Sequence, residues 1–154
     1  MDPKFEKFLI GIHSKFKELM AMNSVTMETP ISNSPEGGVY LFSENGVHLY
    51  VGRSKRKLNK RLRGHIRKSS KDSPLAFKMA REATGNTDIY YSGDSIRGKL
   101  LAAPNFSTAY QNAKDRIGRM EIRWVHEPDP IKQALLEMYV AVILDTPYND
   151  FDTH

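Results

Sequence analysis

A chain of 154 residues with no cysteine excludes disulfides, thiolate zinc sites and cysteine nucleophiles, and its length fits one compact domain around a single hydrophobic core. The net charge of +5 is unevenly spread: Arg53 to Lys68 holds nine Lys or Arg and no Asp or Glu, so the rest of the chain is acidic overall. A charge polarised in this way suits a face that meets a polyanion; the alternative is a solvated helix face, although such faces usually mix both signs. The longest apolar stretch, around Val140 to Leu144, is far too short to cross a bilayer, and no signal-like segment opens the chain, so a soluble cytoplasmic protein is expected.

In chain order, Asp2-Pro3 predicts an N-cap and first helical position, and Phe5, Phe8, Leu9, Ile12, Phe16, Leu19 and Met20 follow at helical spacing. This N-terminal helix spans about 1–22, and its aromatic stripe reads as a packing face. Asn23 to Gly37, rich in Ser, Thr, Pro and Gly, reads as a connector. Val39–Phe42 and Val47–Val51 predict a β-hairpin. A two-residue Asn45-Gly46 loop would put Tyr40 opposite Val51 and the two tyrosines, Tyr40 and Tyr50, on opposite faces. A three-residue Glu44-Asn45-Gly46 loop would pair Ser43 with Val47 and set Tyr40 directly opposite Tyr50. The second register is expected, because it lets both phenols serve one site.

Leu58, Leu62 and Ile66 recur every four residues, so the basic block is expected to be largely helical, with Arg61 and His65 stacked on an adjacent row. Ser73-Pro74 should start a helix that stops near Gly85, and Phe106 to Ile117 a further one, with Tyr90 to Pro104 irregular between them. Met120 to His126 alternates as a third strand, and Ile131 to Leu144 is a strongly apolar helix after Pro128 and Pro130. The fold class expected is α+β, a small three-stranded antiparallel sheet flanked by helices, with an extra N-terminal helix and a helical insertion over 69–119.

Glu137 is the carboxylate most out of place: one helical turn away stand Gln133, Ala134, Val140 and Ala141. A carboxylate there loses hydration and needs a cation or strong donors, which means either a partner arginine or a bound divalent metal. Tyr40 and Tyr50 are ordinary strand residues taken singly. A phenol that ionises near pH 10 acts as a base at neutral pH only beside positive charge or a metal-bound water, and Arg61 and His65 lie on the next element. His13, His48 and His126 read as packing or surface residues, and the Asp150, Asp152, His154 tail as a minor metal candidate at a frayed end. No phosphate-binding glycine loop or serine nucleophile elbow is present.

Gly38-Val39-Tyr40 and Tyr50-Val51-Gly52, followed by a basic segment with Arg61 and His65 four apart, resemble the GIY-YIG endonuclease superfamily, with Val for Ile in both tripeptides. The resemblance is specific from about Gly38 to His65 and continues more loosely from Met120 to Asn149. It implies metal-assisted hydrolysis of a DNA phosphodiester. Tyr40 would be the general base, directly or by passing its proton toward His65, and Arg61 the clamp on the scissile phosphate. Tyr50 would position water or phosphate, Glu137 hold Mg²⁺ or Mn²⁺, and Asn149 support the site. Glu82, among charged neighbours, is the competing carboxylate. DNA would lie along Arg53, Lys55, Arg56, Lys57, Lys60, Arg63, Arg67 and Lys68. Residues 69–119, with Arg81, Tyr90, Tyr91, Arg97, Lys99 and Tyr110, either wrap the substrate or pack. The rival readings are a non-catalytic nucleic-acid-binding module and a protein-interaction domain whose basic segment contacts an acidic partner.

Overall fold

The computed structural model describes residues 1–28, 33–86 and 94–151, with 94–96 described by backbone alone. It is an α+β structure in two compact units, one of residues 1–61 and 120–149, the other of residues 62–119 with the C-terminal residues.

The first unit holds α1 (Pro3–Ala21), β1 (Glu36–Glu44), β2 (Val47–Lys57), β3 (Glu121–His126) and α6 (Pro130–Leu144). The sheet is antiparallel in the order β2-β1-β3. Alternation puts Val39, Leu41, Val51 and Val125 on one face, where they form a core with Ile12 and Leu19 of α1 and Leu136 and Val140 of α6. Both helices start as their sequences direct, with Asp2 and Asp129 accepting hydrogen bonds from first-turn N–H groups and a proline just inside each helix. Each sheet edge is covered in part. Val25 exchanges two backbone hydrogen bonds with Ile122 beyond β3, and residues 148 and 149 lie along the outer edge of β2.

The hairpin differs from its expected register. Asn45 (φ 52°) and Gly46 (φ 78°) form a two-residue loop, Glu44 pairs with Val47, and Tyr40 lies opposite Gly52, not Tyr50. Left-handed angles at both loop residues define the type I′ turn, which matches strand twist better than the longer loop. A bulge at Leu49, between the pairs Ser43–His48 and Phe42–Tyr50, then shifts the alternation by one. Tyr50 therefore returns to the face of Tyr40 and Phe42 by a route that neither simple register contains.

The basic block is a second correction. Arg53 to Lys57 continue β2, because β1 extends back to Glu36, which pairs with Lys57. Helix α2 covers only Leu58–Gly64. Glycine weakens a helix interior, and beyond Gly64 the backbone tightens into turns, with the His65 N–H donating to the Leu62 carbonyl. His65 and Ile66 consequently lie past the end of the helix and not on the helical rows expected for them.

The second unit contains α3 (Pro74–Thr84), α4 (Asp94–Ala102) and α5 (Pro104–Ile117). Helix α3 begins at the Ser73 cap and ends on left-handed Gly85, as expected. Helix α4 occupies most of a stretch read as irregular; its weak amphipathic pattern gave no periodic signal. Phe77 and Phe106 meet with ring centroids 5.2 Å apart. Lys114, 1% exposed, donates from Nζ to the carbonyls of Arg67 and Ser70 and so holds the loop after α2. The cations and aromatics of the insertion largely pack. Arg97 lies 4.0 Å over the Phe77 ring and donates to the Lys71 carbonyl, Arg81 donates to the Asn86 carbonyl, and the Tyr110 hydroxyl donates to the Ser70 carbonyl. Tyr90, Tyr91, Asp152 and His154 lie outside the described residues.

Candidate functional site

Three consecutive residues of β2 each meet a different part of the first unit. Val51 is fully buried, and the Asn149 side chain serves its backbone as a strand would. Asn149 Oδ1 accepts from the Val51 N–H and Nδ2 donates to the Val51 carbonyl, both at 2.8 Å. The Thr146 hydroxyl donates to the same Oδ1 at 2.8 Å and fixes the amide. Asn149 thus supports the middle of the second tripeptide.

Gly52 is required by Tyr40. A Cβ at position 52 would lie 2.8 Å from Tyr40 Cε2 and closer still to Cζ and the hydroxyl oxygen, so the phenol occupies the space any side chain would need. Gly38 has an equivalent reason, since a Cβ there would run into the Val125 carbonyl across the β1–β3 pair. Tyr40 is buried and meets Phe42 edge-on, and Tyr50 is buried opposite Phe42.

Arg53 lies opposite Val39 and so projects from the face that α6 covers. Its Nε donates to Glu137 Oε2 at 3.0 Å, with side chains 39% and 19% exposed respectively. Burial pushes the Glu137 carboxyl above its ordinary pKa, and the charge and hydrogen bond of Arg53 pull it back in part. The arginine partner anticipated as one option for Glu137 is thus Arg53, a residue whose place in the basic block had suggested only DNA contact. Glu82 is exposed on α3, without the desolvation that singles out Glu137.

The remaining candidates are distributed otherwise. Arg61 is half-buried on α2 at the end of the first unit. His65 belongs to the second unit, where it is fully buried with Nδ1 3.0 Å from Ser73 Oγ, the hydroxyl that caps α3. Lys55, Arg56, Lys57, Lys60, Arg63, Arg67 and Lys68 are exposed. The other histidines are the packing or surface residues expected: His13 and His126 are exposed, with His13 meeting Tyr139 and His126 the Gly37 carbonyl, and the partly buried His48 meets Ser43.

Among the described residues no three His, Asp or Glu side chains gather as a metal cluster. A hard cation such as Mg²⁺ does not require one, since it is commonly held by one or two carboxylates, water and substrate phosphate. Glu137 fits that role: it supplies oxygen donors, and among the described residues its Oε1 has no hydrogen-bond partner while Oε2 meets Arg53.

No family model, no curated protein and no solved structure matches the chain.

Proposed function

We propose that the protein is an endonuclease that hydrolyses DNA phosphodiester bonds with the help of a divalent metal ion. The observation that carries this reading is the seating of the Tyr40 phenol over Gly52, on the face of the hairpin that Tyr50 shares. The desolvated Glu137 meets the next residue of the same strand, Arg53, from the face that α6 covers.

Each residue has a physical task in the reaction. Tyr40 accepts the proton of the attacking water, and Tyr50 holds that water or the phosphate. Arg61 binds the scissile phosphate through two parallel hydrogen bonds, a geometry unavailable to lysine. The exposed cations of the first unit, Lys55, Arg56, Lys57 and Lys60, neutralise flanking phosphates and fix the strand. Glu137 holds Mg²⁺ or Mn²⁺, which when bound supplies positive charge to the phosphate and the leaving oxygen. His65 takes no proton-transfer step in this scheme, because its imidazole is buried against Ser73.

One observation favours a second reading. Tyr40 is fully buried, as it would be in a binding module that keeps the hairpin and the basic segment without catalysis. Cleavage of labelled single-stranded and duplex DNA in Mg²⁺, Mn²⁺ or EDTA, with wild type beside Glu137→Ala, separates the two. Metal-dependent cutting that disappears in the variant while DNA binding persists is the expected result. Binding without cutting in every metal would replace the nuclease reading with the binding module.

A further inference from the structure

Arg53 stands where the basic block meets the buried carboxylate, and it is the looser partner of that ion pair. Its side chain is 39% exposed against 19% for Glu137, and it sits on an edge strand. Among the described residues it engages Glu137 through Nε only; its two terminal amino groups have no hydrogen-bond partner. Downstream lie Lys55, Arg56 and Lys57, all exposed. DNA drawn to that run brings phosphates toward Arg53, and a guanidinium suits a phosphate as well as a carboxylate. Glu137, more desolvated, keeps its need for a cation when the arginine leaves.

We propose that Arg53 is an exchangeable counter-ion: it neutralises Glu137 in the free protein and passes to a DNA phosphate on binding, which opens the carboxylate to a divalent cation. The inference rests on the DNA-binding reading above and adds an order of events to it. Glu137 is closed by an internal cation until substrate arrives, so DNA and metal assist one another's binding, and the assistance is reciprocal.

The exchange is testable without metal or catalysis. In EDTA, labelled DNA is titrated with wild type, Arg53→Gln, Glu137→Gln and the double variant over a series of salt concentrations, with circular dichroism confirming that each is folded. In wild type, transfer of Arg53 leaves a bare carboxylate, which opposes binding. Glu137→Gln therefore tightens binding about fivefold, the equivalent of about 1 kcal/mol for a half-exposed pair. It leaves the dependence of log affinity on log salt unchanged, since Arg53 reaches its phosphate in both proteins, whereas Arg53→Gln flattens that dependence by about 0.9, one phosphate's worth of released counterion. In the Arg53→Gln background Glu137→Gln changes neither quantity. Equal tightening in both backgrounds would reduce the effect to simple repulsion between Glu137 and DNA and overturn the exchange, as would no effect in either. Failure of all four proteins to bind DNA would instead overturn the nucleic-acid reading on which the exchange rests.

Discussion

Asn149→Ala tests how the second tripeptide is held. On an edge strand, alternate residues turn their N–H and C=O away from the sheet, and at Val51 both outward groups end on one side-chain amide, at 2.8 Å each. Val51 is 0% exposed, so water reaches these groups poorly once the amide is gone. Two hydrogen bonds at a net 0.5–1.5 kcal/mol each, plus partial desolvation of a donor and an acceptor left unpaired, give a loss of about 2–4 kcal/mol. For a urea m-value of about 2 kcal/mol/M, that lowers the unfolding midpoint by roughly 1–2 M at unchanged slope. Trp124, the only tryptophan, pairs with Tyr40 on the neighbouring strand and provides the fluorescence signal. Asn149→Asp keeps the acceptor for the Val51 N–H but turns a carboxylate oxygen toward the Val51 carbonyl, so at neutral pH it is at least as destabilising as alanine. A midpoint shift worth less than about 0.5 kcal/mol for alanine would refute the reasoning, because it lies within the range of ordinary surface substitutions.

Gly52→Ala forces the Tyr40 ring off its site and lowers stability by about 1–3 kcal/mol, the usual range for overpacking; adding Tyr40→Ala should recover part of that loss in urea unfolding, and a purely additive double variant would count against the contact. Glu137→Gln yields a variant at least as stable as wild type at pH 7. The folded-state pKa of Glu137 is raised, so its ionisation opposes folding above that raised value, and the penalty disappears as pH falls below the unfolded pKa. The stability difference between variant and wild type should therefore narrow toward pH 4, and a difference that widens on acidification would reverse the sign of the argument. Lys114→Met, which keeps the length but removes the donor to two carbonyls, costs about 2–4 kcal/mol, read by thermal or urea unfolding; wild-type stability would show that the loop after α2 does not depend on it.

Element type was legible wherever one periodicity dominated. The Asp2-Pro3 and Ser73-Pro74 starts, the Gly85 stop and the apolar run of α6 all combine a capping residue with an unbroken pattern, and all appear in the structure. What the sequence hid was set by pairing partners far along the chain. The extension of β2 through Lys57 depends on β1 reaching back to Glu36, and nothing within Arg53 to Lys57 distinguishes a cationic strand from a cationic helix. The Leu49 bulge is hidden for the same reason, since it is defined by which β1 residue lies opposite. At the candidate site, the helical environment of Glu137 announced a desolvated carboxylate, but its counter-ion is 84 residues away and no local pattern names it. His65 was misplaced because the four-residue row was followed past Gly64, where the backbone leaves the helix.

The order Val51, Gly52, Arg53 has a mechanical consequence for reading any functional assay on this protein. Asn149 fixes the backbone of the first, Tyr40 rests on the second, and Glu137 holds the third. Because these are adjacent peptide units of one strand, a shift that breaks the Asn149 clamp also moves the seat of Tyr40 and the donor to Glu137. Loss of cleavage in Asn149→Ala would consequently be compatible with a residue that never touches DNA. Loss in Glu137→Gln at wild-type stability would not admit that explanation, since the contact it alters is to the Arg53 side chain and not to the β2 backbone on which the tripeptide's geometry depends. The chemical roles of the candidate residues are therefore separable from the architectural ones only when unfolding and cleavage are measured on the same variants.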